Sequence, residues 1–328
     1  MSYPFEYFRD NWLKYDDILN PFAHYATSRF ELGDEFFESL RFDKESLRNY
    51  RIDAVQSAMT VLGDRPALCF SGGIDSQAML LSFLEAGIDC EVFLMRFNKD
   101  FNSMDTDHAM LFAKQHGIEL KIFDIDIVRY LTFDLYNDAD LYQCSSPQFL
   151  THYKLYDHIR EYGCTGIAAA GNVFSKFIDG WGAAPSATQY NYIKYSEVHN
   201  FPVIGSFLLH DPKVCWSHGL VTPMADVSSV TGPNSETHYL TAYQIRYLSK
   251  VAGYHNAGLE VIPQETKYTG FEKLKDFFAQ KFSNGWAFEN QFRHPLEKKY
   301  GKAASKLILT EQQLAMIENL YSKNFVSS

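Results

Sequence analysis

The chain of 328 residues is 46% apolar and 21% charged, the proportions of a globular protein, and its 27 Phe and 21 Tyr predict a well-filled core and aromatic subunit contacts in a homo-oligomer. A formal charge of −10 argues against a nucleic-acid partner held through phosphates, and the most basic stretch, Arg293 to Lys306, is broken by Glu297. Five widely spaced cysteines (Cys69, Cys90, Cys144, Cys164, Cys215) form no C-x-x-C pair, which argues against a zinc knuckle or redox motif and for free thiols in a reducing compartment.

In chain order, residues 1–43 are aromatic and irregular, with Pro4, Pro21 and no apolar signal core. No later run approaches membrane-spanning length, so no membrane partner is expected and the protein is predicted to be soluble and cytoplasmic. The spacing of Leu47, Ile52, Val55, Met59 and Leu62 predicts a helix over 45–62, closed by Gly63. Strand 67–70, a loop at Ser71, and a helix over 76–85 follow, the helix presenting Met79, Leu80, Phe83 and Leu84 on one face. Strand 91–97, helix 106–116 and strand 120–125 come next. Ser146 and Pro147 read as N-cap and first position of a helix to Tyr162, and the apolar run 166–170 as a fourth strand. This alternation over residues 44–180 predicts an α/β fold, a doubly wound parallel sheet covered on both faces. Residues 181–235, rich in Gly, Pro, Ser and aromatics, read as irregular walls around a site. Helices return at 241–252, 270–281 and 310–322, the last with a capping box of Thr310 and Gln313. The region 181–328 is thus expected to complete the site of the central domain.

The segment S-G-G-I-D-S, Ser71 to Ser76, between a strand and a helix has the makings of a phosphate site. Gly72 and Gly73 let the backbone approach an anion, and the first N–H groups and dipole of the following helix favour negative charge there. Ser71 and Ser76 add hydroxyl donors, and Asp75 is the candidate to hold Mg²⁺ or to order the loop. No G-x-x-x-x-G-K-[ST] occurs, nor a G-x-G-x-x-G after a strand.

The loop resembles that of the PP-loop ATP pyrophosphatases. Within that superfamily the stretch A-V-Q-S-A-M-T-V-L-G-D-R-P-A-L-C-F-S-G-G-I-D, from Ala54, is similar to the opening of the synthetase domain of asparagine synthetases. The likeness continues through Asp105, A-K-Q-H-G-I-E-L-K-I from Ala113, and L-Y-D-H-I-R-E-Y-G-C-T-G-I-A-A-A-G from Leu155 to Gly171. It implies cleavage of ATP to AMP and pyrophosphate, adenylation of a small-molecule acceptor, usually a carboxylate, and displacement of AMP by a nitrogen nucleophile. It implies adenine at Arg96, Phe97 and Asn98, nucleotide contact at Gly171, and a lysine opposite the loop. Lys267 is the first candidate for that lysine, with Lys176 and Arg293 as competitors.

Three departures stand out. Ser2 follows Met1 where a fused glutaminase would carry its cysteine, so ammonia must be free or come from a partner protein. A-A-G-N-V-F, Ala169 to Phe174, lacks the carboxylates of the family's acidic segment, which opens a second reading: a catalytically reduced protein that binds a nucleotide for regulation or assembly. The cysteine zinc site of the deazaguanine-nitrile synthases is absent. His210, His218 and His238 lack ligand spacing and are expected to be surface or hydrogen-bonded histidines.

Overall fold

The computed structural model describes residues 13–15, 25–30, 32–169, 175–177, 180–182, 186–226, 236–265, 270–301, 304–307 and 309–326. Strands β1 (Leu13–Tyr15) and β2 (Tyr25–Phe30) precede helices α1 (Asp34–Ser39) and α2 (Lys44–Leu62). Asp43 caps α2 by accepting from Ser46 N at 2.9 Å, and Gly63 ends it at φ +67°. The alternating unit then runs β3 (Pro66–Cys69), α3 (Ile74–Glu85), β4 (Glu91–Phe97), α4 (Ser103–Gln115) and β5 (Leu120–Ile125). Helix α5 combines Ile127–Arg129, a π-helical turn Tyr130–Asp134 and Leu135–Tyr142. After α6 (Pro147–Glu161) and β6 (Thr165–Ala168) come the hairpin β7 (Ser175–Phe177) and β8 (Gly180–Gly182), α7 (Ser186–His199), β9 (Val203–Ile204) and α8 (Pro212–Leu220). Helices α9 (Glu236–Asn256), α10 (Gly270–Phe282) and α11 (His294–Tyr300), strand β10 (Ala304–Leu307) and α12 (Glu311–Val326) complete the chain.

The main sheet has the order β5-β4-β3-β6-β9 with every pairing parallel. The chain winds outward from β3 to β5, then returns to lay β6 on the other side of β3. The reversal between β3 and β6 is where open sheets of this kind leave a crevice at their carboxyl edge. The pleat divides the strands between three buried clusters. Leu68, Val92, Leu94, Ile167 and Ile204 join α2, α3, α4, α8 and α9 in one, Ala168 and Val203 pack with Tyr153 and Tyr156 of α6 and Tyr192 and Tyr195 of α7 in a second, and Ala67 and Phe93 meet Leu155 and Ile159 of α6 in a third. Burial on both faces accounts for the nearly continuous apolar run of β3 and β6.

The predicted α/β sheet is present, and it extends beyond residue 180. Its fifth strand is β9, and the region expected to be irregular from 181 to 235 contains α7, β9 and α8. Trp216 of α8 is wholly buried and meets Phe37 of α1 edge-on at 5.2 Å, so part of the N-terminal extension also docks on the core. A smaller sheet, β1-β2-β10, joins the two ends of the chain. The predicted capping box is formed: Gln313 N donates to Thr310 Oγ1 at 3.2 Å and Thr310 N to Gln313 Oε1 at 2.9 Å. Ser146 caps α6 by accepting from Phe149 N.

Candidate functional site

The S-G-G-I-D-S loop lies at the carboxyl end of β3, beside the β3–β6 reversal. Gly72 has φ +76°, and a Cβ built on it would lie 2.7 Å from Ala109 N and 2.8 Å from Ala109 Cα. Only glycine fits there, because the loop backbone rests directly on α4 in a left-handed conformation. Gly73 is the N-cap of α3 and has no side chain to cap it, so the first-turn N–H groups remain available to an anion. Ser71 is exposed. Ser76, expected to donate outward, is buried and gives its hydrogen to Gly73 O at 2.8 Å, with Ser71 Oγ at 3.3 Å, so it shapes the loop.

Asp75, in the first turn of α3, faces α9. Lys250 Nζ stands 2.7 Å from its Oδ1 and 2.8 Å from its Oδ2, and Tyr254 OH donates to Oδ1 at 2.6 Å. Lys250 and Tyr254 are four residues apart and therefore share one face of α9. The Lys250 side chain is 13% exposed and that of Asp75 29%, so the pair opens on solvent from one side only. Burial, with the Asp75 charge added, holds the Tyr254 phenol well above its ordinary range, which keeps it a hydrogen-bond donor.

Gln77 ties the loop to a segment nearly two hundred residues away. Its fully buried amide donates to Gly72 O at 2.7 Å and Ile262 O at 2.9 Å and accepts from Ile262 N at 2.7 Å. His108 Nε2 reaches the same Ile262 carbonyl at 2.9 Å. Gln264 follows, its backbone N–H donating to Tyr247 OH at 2.9 Å and its Nε2 to Asp105 Oδ1 at 3.0 Å. None of Gln77, Lys250, Tyr254 and Gln264 was singled out in the sequence. The available signals were a glutamine on the apolar face of α3 and a Lys and Tyr at helical spacing.

The other expected site residues are placed differently from one another. Arg96 forms a bidentate pair with Asp124 of the neighbouring strand at 2.6 and 2.9 Å, the side chains 43% and 64% exposed, and the guanidinium holds the Asp124 carboxyl below the usual range. Phe97 is buried, its ring edge-on to Phe271 at 5.7 Å, and its N–H donates to Asn102 Oδ1 at 2.7 Å. That amide is therefore engaged within the protein, whereas the buried Asn98 Oδ1 has no partner. Lys176 pairs with Glu318 of α12 beneath the rings of Tyr321 and Trp181, so its charge is already compensated. Arg293 pairs with Glu297 on the surface at 2.9 Å. Lys267 and Gly171 lie outside the described residues, though both flanks of 266–269 reach the start of α4: Gln264 bonds Asp105, and a Cβ on Gly270 would stand 2.7 Å from Asn102 Cβ. His210 and His218 are buried in the α8 region, the first hydrogen-bonded as expected and the second not; the side chain of His238 lies outside the described residues. His210 Nε2 contacts Ser57 Oγ at 3.2 Å, while His218 is packed against Tyr254 with both ring nitrogens unpartnered. All five cysteines are free thiols.

Among the described residues no group of three or more His, Cys, Asp or Glu is placed to hold a metal ion. Asp75, the carboxylate expected to hold Mg²⁺, has both oxygens engaged within the protein, by Lys250 and Tyr254. No described helix is long and apolar enough to cross a membrane.

No family model matches the chain, and no curated protein matches it. Among solved structures it is similar to the U34-tRNA thiolase NcsA of Methanococcus maripaludis, with its [4Fe-4S] cluster, at TM-score 0.36 and 16% identity, covering 81% of this chain and 85% of that one. It is also similar to an NH3-dependent NAD synthetase of Campylobacter jejuni (TM-score 0.31, 13% identity, 86% and 95% covered). A third is an NMN synthetase of Francisella tularensis (TM-score 0.29, 16% identity, 71% and 99% covered). At TM-scores of this size the chains superpose loosely, and the site must be read from its own geometry.

Proposed function

We propose that this protein binds ATP at Ser71 to Ser76 and cleaves it to AMP and pyrophosphate, adenylating a carboxylate acceptor for amide or other C–N bond formation. The observation that carries this reading is the loop itself: a left-handed Gly72 pressed on α4, an uncapped helix start at Gly73, and a carboxylate at Asp75 facing a lysine. The asparagine-synthetase-like sequence from Ala54 supports the same chemistry.

In this reading the first N–H groups of α3 and the Ser71 hydroxyl hold the departing pyrophosphate. Asp75 is the carboxylate that would hold Mg²⁺, which when bound neutralises phosphate charge. Lys250 supplies the cation opposite the loop. Its pairing with Asp75 keeps it beside the phosphates, where developing negative charge on the leaving group outweighs its existing partner. Lys250 takes precedence over Lys267 and Lys176 for this role because it already stands at Asp75. Asn98, with its unpartnered carbonyl at the end of β4, suits the amino group of adenine. The missing carboxylates of Ala169 to Phe174 favour a second reading, nucleotide binding without turnover.

The deciding experiment incubates the protein with Mg-ATP and a panel of small carboxylic acids and follows AMP and pyrophosphate. Mg-ATP is expected to raise Tm by mass action, Asp75→Asn and Ser71→Ala to weaken that effect at least tenfold in apparent affinity, and Lys250→Met to slow AMP formation about 10²–10³-fold. Binding without AMP formation on any acid favours the second reading. Unchanged ATP affinity in both loop variants overturns the site, and intact AMP formation in Lys250→Met overturns the lysine.

A further inference from the structure

The segment that packs beside the loop carries a hydrogen-bond acceptor that the protein itself leaves unused. Gln264 is 9% exposed, and its Oε1 is buried with no partner. The orientation of this amide is dictated by its neighbour: Nε2 donates to Asp105 Oδ1 at 3.0 Å, and turning the group over would set a carbonyl against a carboxylate. Since the two ends of one amide are little more than 2 Å apart, the unpartnered Oε1 must lie close to Asp105. A buried acceptor left unpaired carries a standing desolvation penalty that a ligand able to donate would remove.

The charges around it point the same way. Asp75 is neutralised by Lys250 at 2.7 Å. Asp105 has no cation paired with it among the described residues. Lys273 of α10 docks on the same turn of α4, but onto Ser103 Oγ at 3.0 Å and the Asp100 carbonyl at 3.4 Å. Tyr247, one turn before Lys250 on α9, fixes the Gln264 backbone, and its phenol is held above the ordinary range by burial, with the Asp75 and Asp105 carboxylates adding to the effect. One negative charge and one neutral acceptor therefore converge close to the phosphate loop. Asp105 sits one turn before Ala109, the residue on which Gly72 rests.

We infer that Asp105 and the Gln264 carbonyl form a subsite for a primary ammonium group, with Tyr247 as its supporting wall. A primary ammonium carries three N–H donors and a positive charge, which satisfies the carboxylate and the amide oxygen together. A quaternary ammonium has the charge without the donors, and a carboxylate has neither. This inference rests on the proposed C–N bond-forming reaction for its meaning, where the bound amine is the nitrogen nucleophile or the amino group of the acceptor. Its binding test does not require ATP.

The test is a thermal-shift titration of the full chain with methylammonium chloride, against tetramethylammonium chloride and sodium chloride at equal ionic strength. Methylammonium at ten times its dissociation constant is expected to raise Tm by about 2 °C over both controls. Asp105→Asn is expected to abolish that rise while keeping the rise caused by Mg-ATP, which also reports that the variant is folded. Gln264→Met serves as the second variant and is expected to lose the methylammonium effect. An equal rise with tetramethylammonium or sodium, or a rise that persists in both variants, overturns the subsite and leaves the Gln264 acceptor to water. A wild-type protein that responds to methylammonium and not to Mg-ATP retains the subsite and loses the nucleotide reading.

Discussion

At Gly72 one missing methyl group decides how the loop is built. The φ of +76° costs a non-glycine residue about 1–3 kcal/mol, and a Cβ 2.7 Å from the Ala109 backbone adds a clash that α4 can relieve only by moving. Gly72→Ala is accordingly expected to lower the urea midpoint and to weaken Mg-ATP binding together, because the loop must lift off α4. Wild-type stability in this variant, read by urea denaturation, would contradict the close approach. The same scale shows what a motif leaves unsaid. S-G-G-I-D-S identifies Asp75 as a candidate, but its partners Lys250 and Tyr254 lie about 175 residues onward in a helix whose spacing resembles that of any amphipathic helix. Arg96 likewise has a partner that no local signal names: the neighbouring strand supplies Asp124 at the matching register.

At the scale of elements, helix packing depends on a few buried polar ties. Arg51 of α2 is almost wholly buried and forms a bidentate pair with Glu85 of α3 at 2.9 Å, while its Nη1 donates to Ala257 O at 2.8 Å just after α9. The pair thus joins the helix before the sheet, the loop helix and the helix that carries Lys250. Removing one partner of such a pair costs about 3–5 kcal/mol when both are buried, and less here because Glu85 is partly exposed. Arg51→Met is expected to destabilise the protein by about 2–3 kcal/mol in chemical denaturation, and the double variant Arg51→Met with Glu85→Leu to recover part of the loss. Strictly additive losses would show that the two residues do not act as a pair. Local signals sufficed where apolar runs and punctuation agreed: β4 and β5 occupy the predicted residues 91–97 and 120–125, and α6 and α12 carry the caps read from Ser146 and Thr310. They failed for β9, whose two residues are too short to show any period.

Across the whole molecule, burial of ionisable groups ties stability to pH. Burial holds His210 near a pKa of about 4 and His218 near about 3, the latter lowered further by the charges of Arg51 and Lys250. Both are neutral in the fold, while in the unfolded chain they take up protons below their ordinary value of about 6.5. The unfolded state then binds more protons, so the stabilisation is fully present above pH 6.5 and is lost as the pH falls toward 4 and below. A loss on the order of 3 kcal/mol from His210 is expected by pH 4, seen as a falling urea midpoint, with a shallower fall in His210→Gln. A flat midpoint between pH 7 and pH 4.5 would contradict the neutral buried state.

The alternating α/β unit from α2 to β6 and the phosphate-type loop after its first strand are legible in the residues alone. Both are local: helix and strand periods, caps and a glycine pair are written within a few residues of where they act. Which side chains meet the loop depends on long-range packing. Lys250, Tyr254, Gln77, Ile262, Gln264 and Asp105 come together because α9 and the segment after it fold back over the carboxyl edge of the sheet. The strand β9 and the buried histidines His210, just before α8, and His218, within it, were settled in the same way, by the apolar faces that the rest of the chain left to be covered. Contacts across such distances in sequence depend on which faces become buried against one another, and no periodicity in a single segment records its partner.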